Sequence, residues 1–106
     1  MITNIESQLL KVSGIIHRFF TKNGGVSTGR FSSLNFCGKA GDSPANISHN
    51  KEVVARSFGL EKSAIKIVNQ IDGKAVVTVN EANRGLDLSN IEADAMVTNL
   101  PNIVLG

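Results

Sequence analysis

The chain has no tryptophan and no tyrosine, and its aromatic surface rests on five phenylalanines. Binding of single-stranded nucleic acid by base stacking would have only phenylalanine to work with. Cysteine occurs once, as Cys37, which excludes an intrachain disulfide and an all-cysteine metal site within one chain. No apolar run approaches the ~18 residues of a membrane-spanning helix. Charge of either sign is sparse: 11 Lys and Arg stand against 9 Asp and Glu, a net charge of +2. The positive residues are scattered and form no basic stripe. These absences argue against nucleic-acid and membrane partners. Residues 1–10 carry Glu6 and no basic cluster ahead of an apolar core, unlike a secretory leader. The lone thiol fits a cytoplasmic location.

What remains is a globular composition, 42% hydrophobic and 19% charged over 106 residues. A chain of that length makes one small domain, or part of one, and buries about two-thirds of its unfolded surface. Residues 1–13 read as a loosely ordered lead-in. Residues 14–20 (GIIHRFF) read as a strand, with Ile15, His17 and Phe19 on one face. Three glycines among short polar residues make 21–29 a loop, and Leu34–Phe36 reads as a short strand. The clearest helix spans 44–58: Ser43 is a good N-cap, Pro44 suits the first helical position, and Gly59 suits the left-handed stop. Its apolar stripe is Ile47, Val54 and Phe58, with Asn50 at the edge and His49 towards solvent.

Two β-rich runs, 64–71 and 74–79, flank Asp72-Gly73, which predicts a hairpin. Residues 80–92 read as a polar loop and 94–98 as a strand. An apolar segment then opens at Ile103. The expected fold class is α+β, a mixed sheet with one main helix packed on it. The apolar segment 103–106 is expected to leave an open sheet edge through which two copies could self-associate.

Three constellations bear on chemistry. The glycine loop could cradle an anion through its amides, with Lys22 adding charge, although no Gly-Lys-Ser/Thr tail follows it. His17, His49, Cys37, Asp42 and Asp72 are candidate metal ligands, but none stand at spacings that bring ligands together. Cys37 and His17 would make a nucleophile–base pair only if the strand and loop met. Read residue by residue, His17 is a half-buried strand histidine, Cys37 a small hydrophobe and Asp72 a turn residue. No catalytic residue is assigned.

Thr21-Lys22-Asn23-Gly24-Gly25-Val26-Ser27, Ser33-Leu34-Asn35, Gly41-Asp42-Ser43-Pro44 and Asn50 occur in that order. Asn69-Gln70-Ile71-Asp72-Gly73 and Glu92-Ala93-Asp94-Ala95 follow. This series resembles the N-terminal part of the laccase-like YfiH family, long labelled multicopper polyphenol oxidases. The resemblance covers residues 14–106 and implies the N-terminal portion of such a domain, cut short at its C-terminal end. It implies purine nucleoside phosphorylase chemistry, with adenosine deaminase and methylthioadenosine phosphorylase side activities. It also implies a zinc cofactor (copper in the older label). The family's ligands are a histidine in a Gln-x-His-Gly turn, a cysteine in Thr-Ala-Asp-Cys and a histidine in His-Ala-Gly-Trp. Asp72 stands at the first of these positions, and the other two stretches are expected after Gly106. Lys22 stands where the family usually has arginine, and Lys39 where it commonly has histidine. By resemblance and position, Lys22 and Asn35 are the substrate-binding candidates, towards phosphate or ribose, and Asp72 is the residue at the metal position. The expectation is a chain without bound metal and inactive alone. A second half would complete the site for a purine nucleoside and phosphate. The alternative is a non-catalytic remnant or interaction module.

Overall fold

The computed structural model describes residues 1–106. It is an α+β chain with one α-helix and six short strands, distributed over three two-stranded pairs of mixed direction. By contact density it divides into two compact units, Met1–Val54 and Ala55–Gly106.

In the first unit, β1 (Asn4–Ile5) pairs antiparallel with β2 (Phe19–Phe20), Ile5 opposite Phe19. Residues 1–13 thus supply a strand, and also a 3-10 turn at Gln8–Leu10. The strand expected over 14–20 is confined to its last two residues. Gly14 adopts φ 84 and Ile15 and Ile16 stay exposed, so only the segment that meets β1 is held extended. Leu34–Phe36 forms no strand, because its flanks are tied elsewhere: the Ser33 and Leu34 amides both donate to the Lys22 carbonyl, at 2.9 and 2.8 Å. Gly24 and Gly25 are required by close approach. A Cβ on Gly24 would strike the Ile2 backbone, and one on Gly25 would strike the Ser33 carbonyl.

Helix α1 (Pro44–Ser57) runs as expected, and the division between the units falls within it. It ends in a Schellman motif. The Leu60 amide reaches the Ala55 carbonyl, the Gly59 amide reaches Arg56, and Gly59 takes φ 73. Ile47 and Val54 are buried and Phe58 is half-buried, so the apolar stripe is real. Asn50 lies within that stripe, fully buried.

The second unit holds β3 (Ile65–Lys66), β4 (Val76–Val79), β5 (Ala95–Thr98) and β6 (Val104–Leu105). Its core is Val68, Val79, Leu88 and Ala93, with Val77, Met96 and Ile103 against it. The loop after β4 is not merely polar, since it contributes Leu88 to that core. The predicted hairpin does not form. β4 pairs in parallel with β5, Val76 opposite Ala95 through Val79 opposite Thr98, and β3 pairs in parallel with β6. A parallel bridge also joins Asn69 to Glu92. Residues 69–79 therefore run in one direction beside 92–98. Seven positions separate Asn69 from Val76 but three separate Glu92 from Ala95, and the excess of four bulges out at 70–75. The type I′ turn that Asp-Gly favours needs positive φ at both central residues, whereas here only Asp72 has it (φ 57). The amides of Ile71, Asp72 and Gly73 go instead to a carboxylate just ahead of β5.

Candidate functional site

That carboxylate is Asp94. Its Oδ1 accepts the amides of Ile71 and Asp72 at 2.9 and 2.8 Å, and its Oδ2 accepts that of Gly73 at 2.6 Å. Three successive N–H groups converging on one anion form a nest. Burial pushes the Asp94 carboxyl up, but the amides of Gly73, Ile71 and Asp72 outweigh it and its pKa lies below the ordinary value. Asp72, which the resemblance puts at a metal-ligand position, sits at the apex of this turn, exposed and in the left-handed region.

The second constellation lies in the first unit. Asn50 accepts the Val26 amide at 2.8 Å and donates to Ser27 Oγ at 2.9 Å and to the Asn35 carbonyl at 2.8 Å. Ser27, itself buried, donates through Oγ to Asp42 Oδ2 at 2.5 Å. Asp42 also accepts from Asn35 Nδ2 at 3.1 Å, from the Ser43 amide at 2.7 Å and from Asn46 Nδ2 at 3.3 Å. The Ser27 hydroxyl does most to hold the Asp42 carboxyl below its ordinary value. Burial opposes it, and Asn35, the Ser43 amide and Asn46 reinforce it. No buried side-chain nitrogen or oxygen is left without a partner.

This network places the substrate-binding candidates. Asn35 turns inward: its amide group bonds Asp42, and its Oδ1 accepts the Cys37 amide at 3.1 Å. The Lys22 carbonyl accepts the Ser33 hydroxyl at 2.7 Å besides the two amides, which pins the loop, while the Lys22 residue is exposed. The amides of Asn23, Gly25, Val26 and Ser27 are spent on Thr21, Ser33, Asn50 and Ser33 respectively. These four amides are therefore not free to cradle an anion, and Lys22 stands exposed beside them.

The remaining candidates are not gathered. His17 Nε2 accepts the Ser7 amide at 2.7 Å and the ring meets Phe19 edge-on, so that nitrogen is committed to holding the N-terminal turn. Cys37 is exposed and free, His49 points to solvent as expected, and Lys39 is exposed. Asp72 lies in the second unit, and Lys22, Asn35 and Asp42 in the first. No three His, Cys, Asp or Glu side chains come together. A catalytic zinc takes three protein ligands. Near Asp72 the other carboxylate, Asp94, already has its oxygens on three amides. The residues present do not make a zinc or copper site by themselves.

Sequence reasoning assigned no role to Asp94, Asn50 or Lys66, although the first two stand in the motifs that carry the resemblance. Asn50 was detectable as a polar residue inside an apolar helix stripe, three positions after Ile47 and four before Val54. Lys66 is 2% exposed and donates through Nζ to the Leu86 carbonyl at 2.7 Å. Burial lowers its pKa, Asp87 raises it and Arg84 lowers it. Nothing in its local sequence marks it as buried.

A family model described as multi-copper polyphenol oxidoreductase laccase matches residues 16–106. A purine nucleoside phosphorylase of Streptomyces griseus is 35% identical over 95 residues, covering 89% of this chain and 38% of the relative. One from Streptomyces coelicolor is 30% identical over 110 residues, 90% of this chain and 46% of the relative. One from Haemophilus influenzae is 32% identical over 90 residues, covering 84% and 34%. The chain thus spans less than half the length of these relatives. Among solved structures, the hypothetical protein YfiH of Bacillus licheniformis superposes with a TM-score of 0.75 at 26% identity, covering 83% of this chain and 35% of that one. No helix is long and apolar enough to cross a membrane. Sequence and fold agree over the same stretch, and the chain belongs to the multi-copper polyphenol oxidoreductase laccase family.

Proposed function

We propose that this chain is the N-terminal portion of a purine nucleoside phosphorylase unit and that it does not turn over nucleoside alone. The observation that carries the reading is its match to relatives named for that activity, at 30–35% identity over 81–90% of its length. In phosphorolysis, phosphate attacks C1′ of the ribose as the glycosidic bond to the base breaks. The reactants are an anion and a neutral nucleoside, so a fixed cation near the sugar is useful. Lys22 supplies that charge from a pinned loop. It is a point charge, without the two-pronged grip of an arginine. Asn35 serves the same loop indirectly, by holding Asp42 and the turn after Leu34. Zinc, as the family resemblance implies it, would take its first ligand at position 72 and the other two from the part of the unit that this chain does not match. Adenosine deamination belongs to the same assembled unit.

The test uses the purified 106-residue chain with inosine or adenosine, phosphate and added zinc, following free base by chromatography. No base release is expected, and turnover would overturn the reading. A chimera tests the other half. Residues 16–106 replace the matched stretch of the Streptomyces griseus relative, with Asp72→His. Release of hypoxanthine from inosine is expected only with phosphate. Lys22→Ala is expected to raise the phosphate KM about tenfold, the equivalent of ~1.4 kcal/mol of binding. A folded chimera with no phosphate-dependent release would refute the assignment.

A further inference from the structure

The pair β4–β5 has two faces of different fate. Val77, Val79, Met96 and Thr98 face the core side and are buried or half-buried. Val76, Thr78, Ala95 and Val97 share the other face by register, and all four are exposed, Val76 at 58% and Val97 at 50%. The sequences VVTV and AMVT do not alternate apolar with polar. Near-continuous apolar strands in parallel pairing mark a sheet covered on both sides, since parallel sheets occur almost only that way. One cover is present and the other is not within this chain. The solved YfiH chain contains the same fold, yet this chain matches only 35% of it. Nearly twice as much polypeptide therefore accompanies these strands there as is matched.

We infer that the face formed by Val76, Thr78, Ala95 and Val97 is a docking surface, and that its occupant is the polypeptide making up the rest of a family-length domain. The inference names the partner of the unit proposed above and rests on that reading, but it needs no catalysis. The surface is apolar at its centre, carries no charge, and presents an unpaired edge of β4 or β5 for strand addition.

The experiment mixes the full 106-residue chain with a polypeptide comprising the part of the Streptomyces griseus relative that follows its matched stretch. Light scattering after gel filtration reads the stoichiometry, and methyl NMR reads the surface. A 1:1 complex is expected, with the Val76 and Val97 methyls shifting and the Val79 methyls staying. Val97→Lys and Val76→Lys are each expected to weaken the complex at least tenfold. Both positions are exposed, so the circular dichroism and thermal midpoint of the free chain should hold. Val12→Lys, at an exposed apolar site of the first unit, should leave binding unchanged. Absence of a complex would overturn the inference. So would equal weakening by Val12→Lys, or a homodimer broken by Val97→Lys, which would name a second copy as the occupant. A 1:1 complex made with Asp72→His and added zinc that shows no phosphorolysis would refute the enzymatic reading while leaving the surface standing.

Discussion

Replacing Asn50 with alanine should be the most damaging single truncation in the first unit. The side chain is fully buried and makes three hydrogen bonds, to the Val26 amide, Ser27 Oγ and the Asn35 carbonyl. Each is worth about 1 kcal/mol net, and alanine leaves all three partners behind without replacing them. The expected loss is therefore about 3 kcal/mol, set against a total of ~5–15 kcal/mol for an ordinary domain. At roughly 4–8 °C per kcal/mol for a domain of this size, the melting temperature should fall by about 12–24 °C. Asn50→Asp should be worse at neutral pH, since it keeps the acceptor for Val26 but faces Ser27 Oγ and the Asn35 carbonyl with a buried charge. His49→Ala, one residue away and exposed, should stay within ~0.5 kcal/mol. The assay is thermal and urea unfolding of the three variants against the parent chain. A midpoint for Asn50→Ala within 2 °C of the parent, on the scale of roughly 4–8 °C per kcal/mol, would refute the claim that this network ties the glycine loop to α1.

Asp42 and Asp94 both have lowered pKa values, so their bonds stabilise the fold fully above the ordinary carboxylate value of 3.8. That stabilisation should be lost as pH falls below it through the folded values. Urea midpoints should be level from neutrality to about pH 5 and fall below about pH 4, with the fall reduced in Asp42→Asn and Asp94→Asn. Lys66 acts in the opposite region: its lowered pKa means that the unfolded chain holds the proton more tightly. Stability should rise as pH climbs through its folded pKa towards 10.5, and Lys66→Met should abolish the rise. Gly25→Ala forces a Cβ into the Ser33 carbonyl and should cost about 1–3 kcal/mol in urea unfolding. Gly38→Ala meets open space at ordinary φ and should be neutral or stabilise by ~0.4–1 kcal/mol. At position 72, valine should cost roughly 1–2 kcal/mol through its left-handed φ, whereas histidine should be nearly silent in thermal unfolding.

The elements legible in the sequence are those whose causes are local. α1 carries its own start at Ser43-Pro44, its own stripe and its own stop at Gly59, and all of these act within a few residues. The Schellman bonds at Ala55 and Arg56 follow from that stop. The six strands are different, because none exceeds four residues and each depends on a partner 14 or more positions away. The stretch 14–20 is β-rich throughout, yet only Phe19–Phe20 is strand, since β1 offers just two residues to pair with. The candidate site divides in the same way. Lys22, Asn35 and Asp72 were named from their motifs. Asp42, Asn50 and Asp94 stand in the same motifs, but the bonds by which they hold Asn35, the glycine loop and the Asp72 turn act across folded space and have no local signature.

The Asp72-Gly73 turn shows how a strong local signal loses. Asp-Gly favours a hairpin because both residues accept positive φ, and the runs on either side are suited to pairing with each other. Against that stands one carboxylate just ahead of the adjacent strand, able to bond three amides at once. Charge-assisted bonds are roughly twice as strong as neutral ones. The parallel partner also lets residues 69–79 pair along 92–98 on both sides of the bulge. A hairpin would bond the Ile71 amide but leave those of Asp72 and Gly73 to solvent, Asp94 without donors and β5 without its partner. The outcome bears on function. The left-handed apex is held by Asp94 through backbone amides, which every residue type but proline supplies. Aspartate and histidine are among the side chains that tolerate that conformation. An exchange of one for the other at position 72 therefore alters the donor presented at the apex while leaving the turn intact. The turn would therefore carry either residue at the position that the family resemblance assigns to a metal ligand.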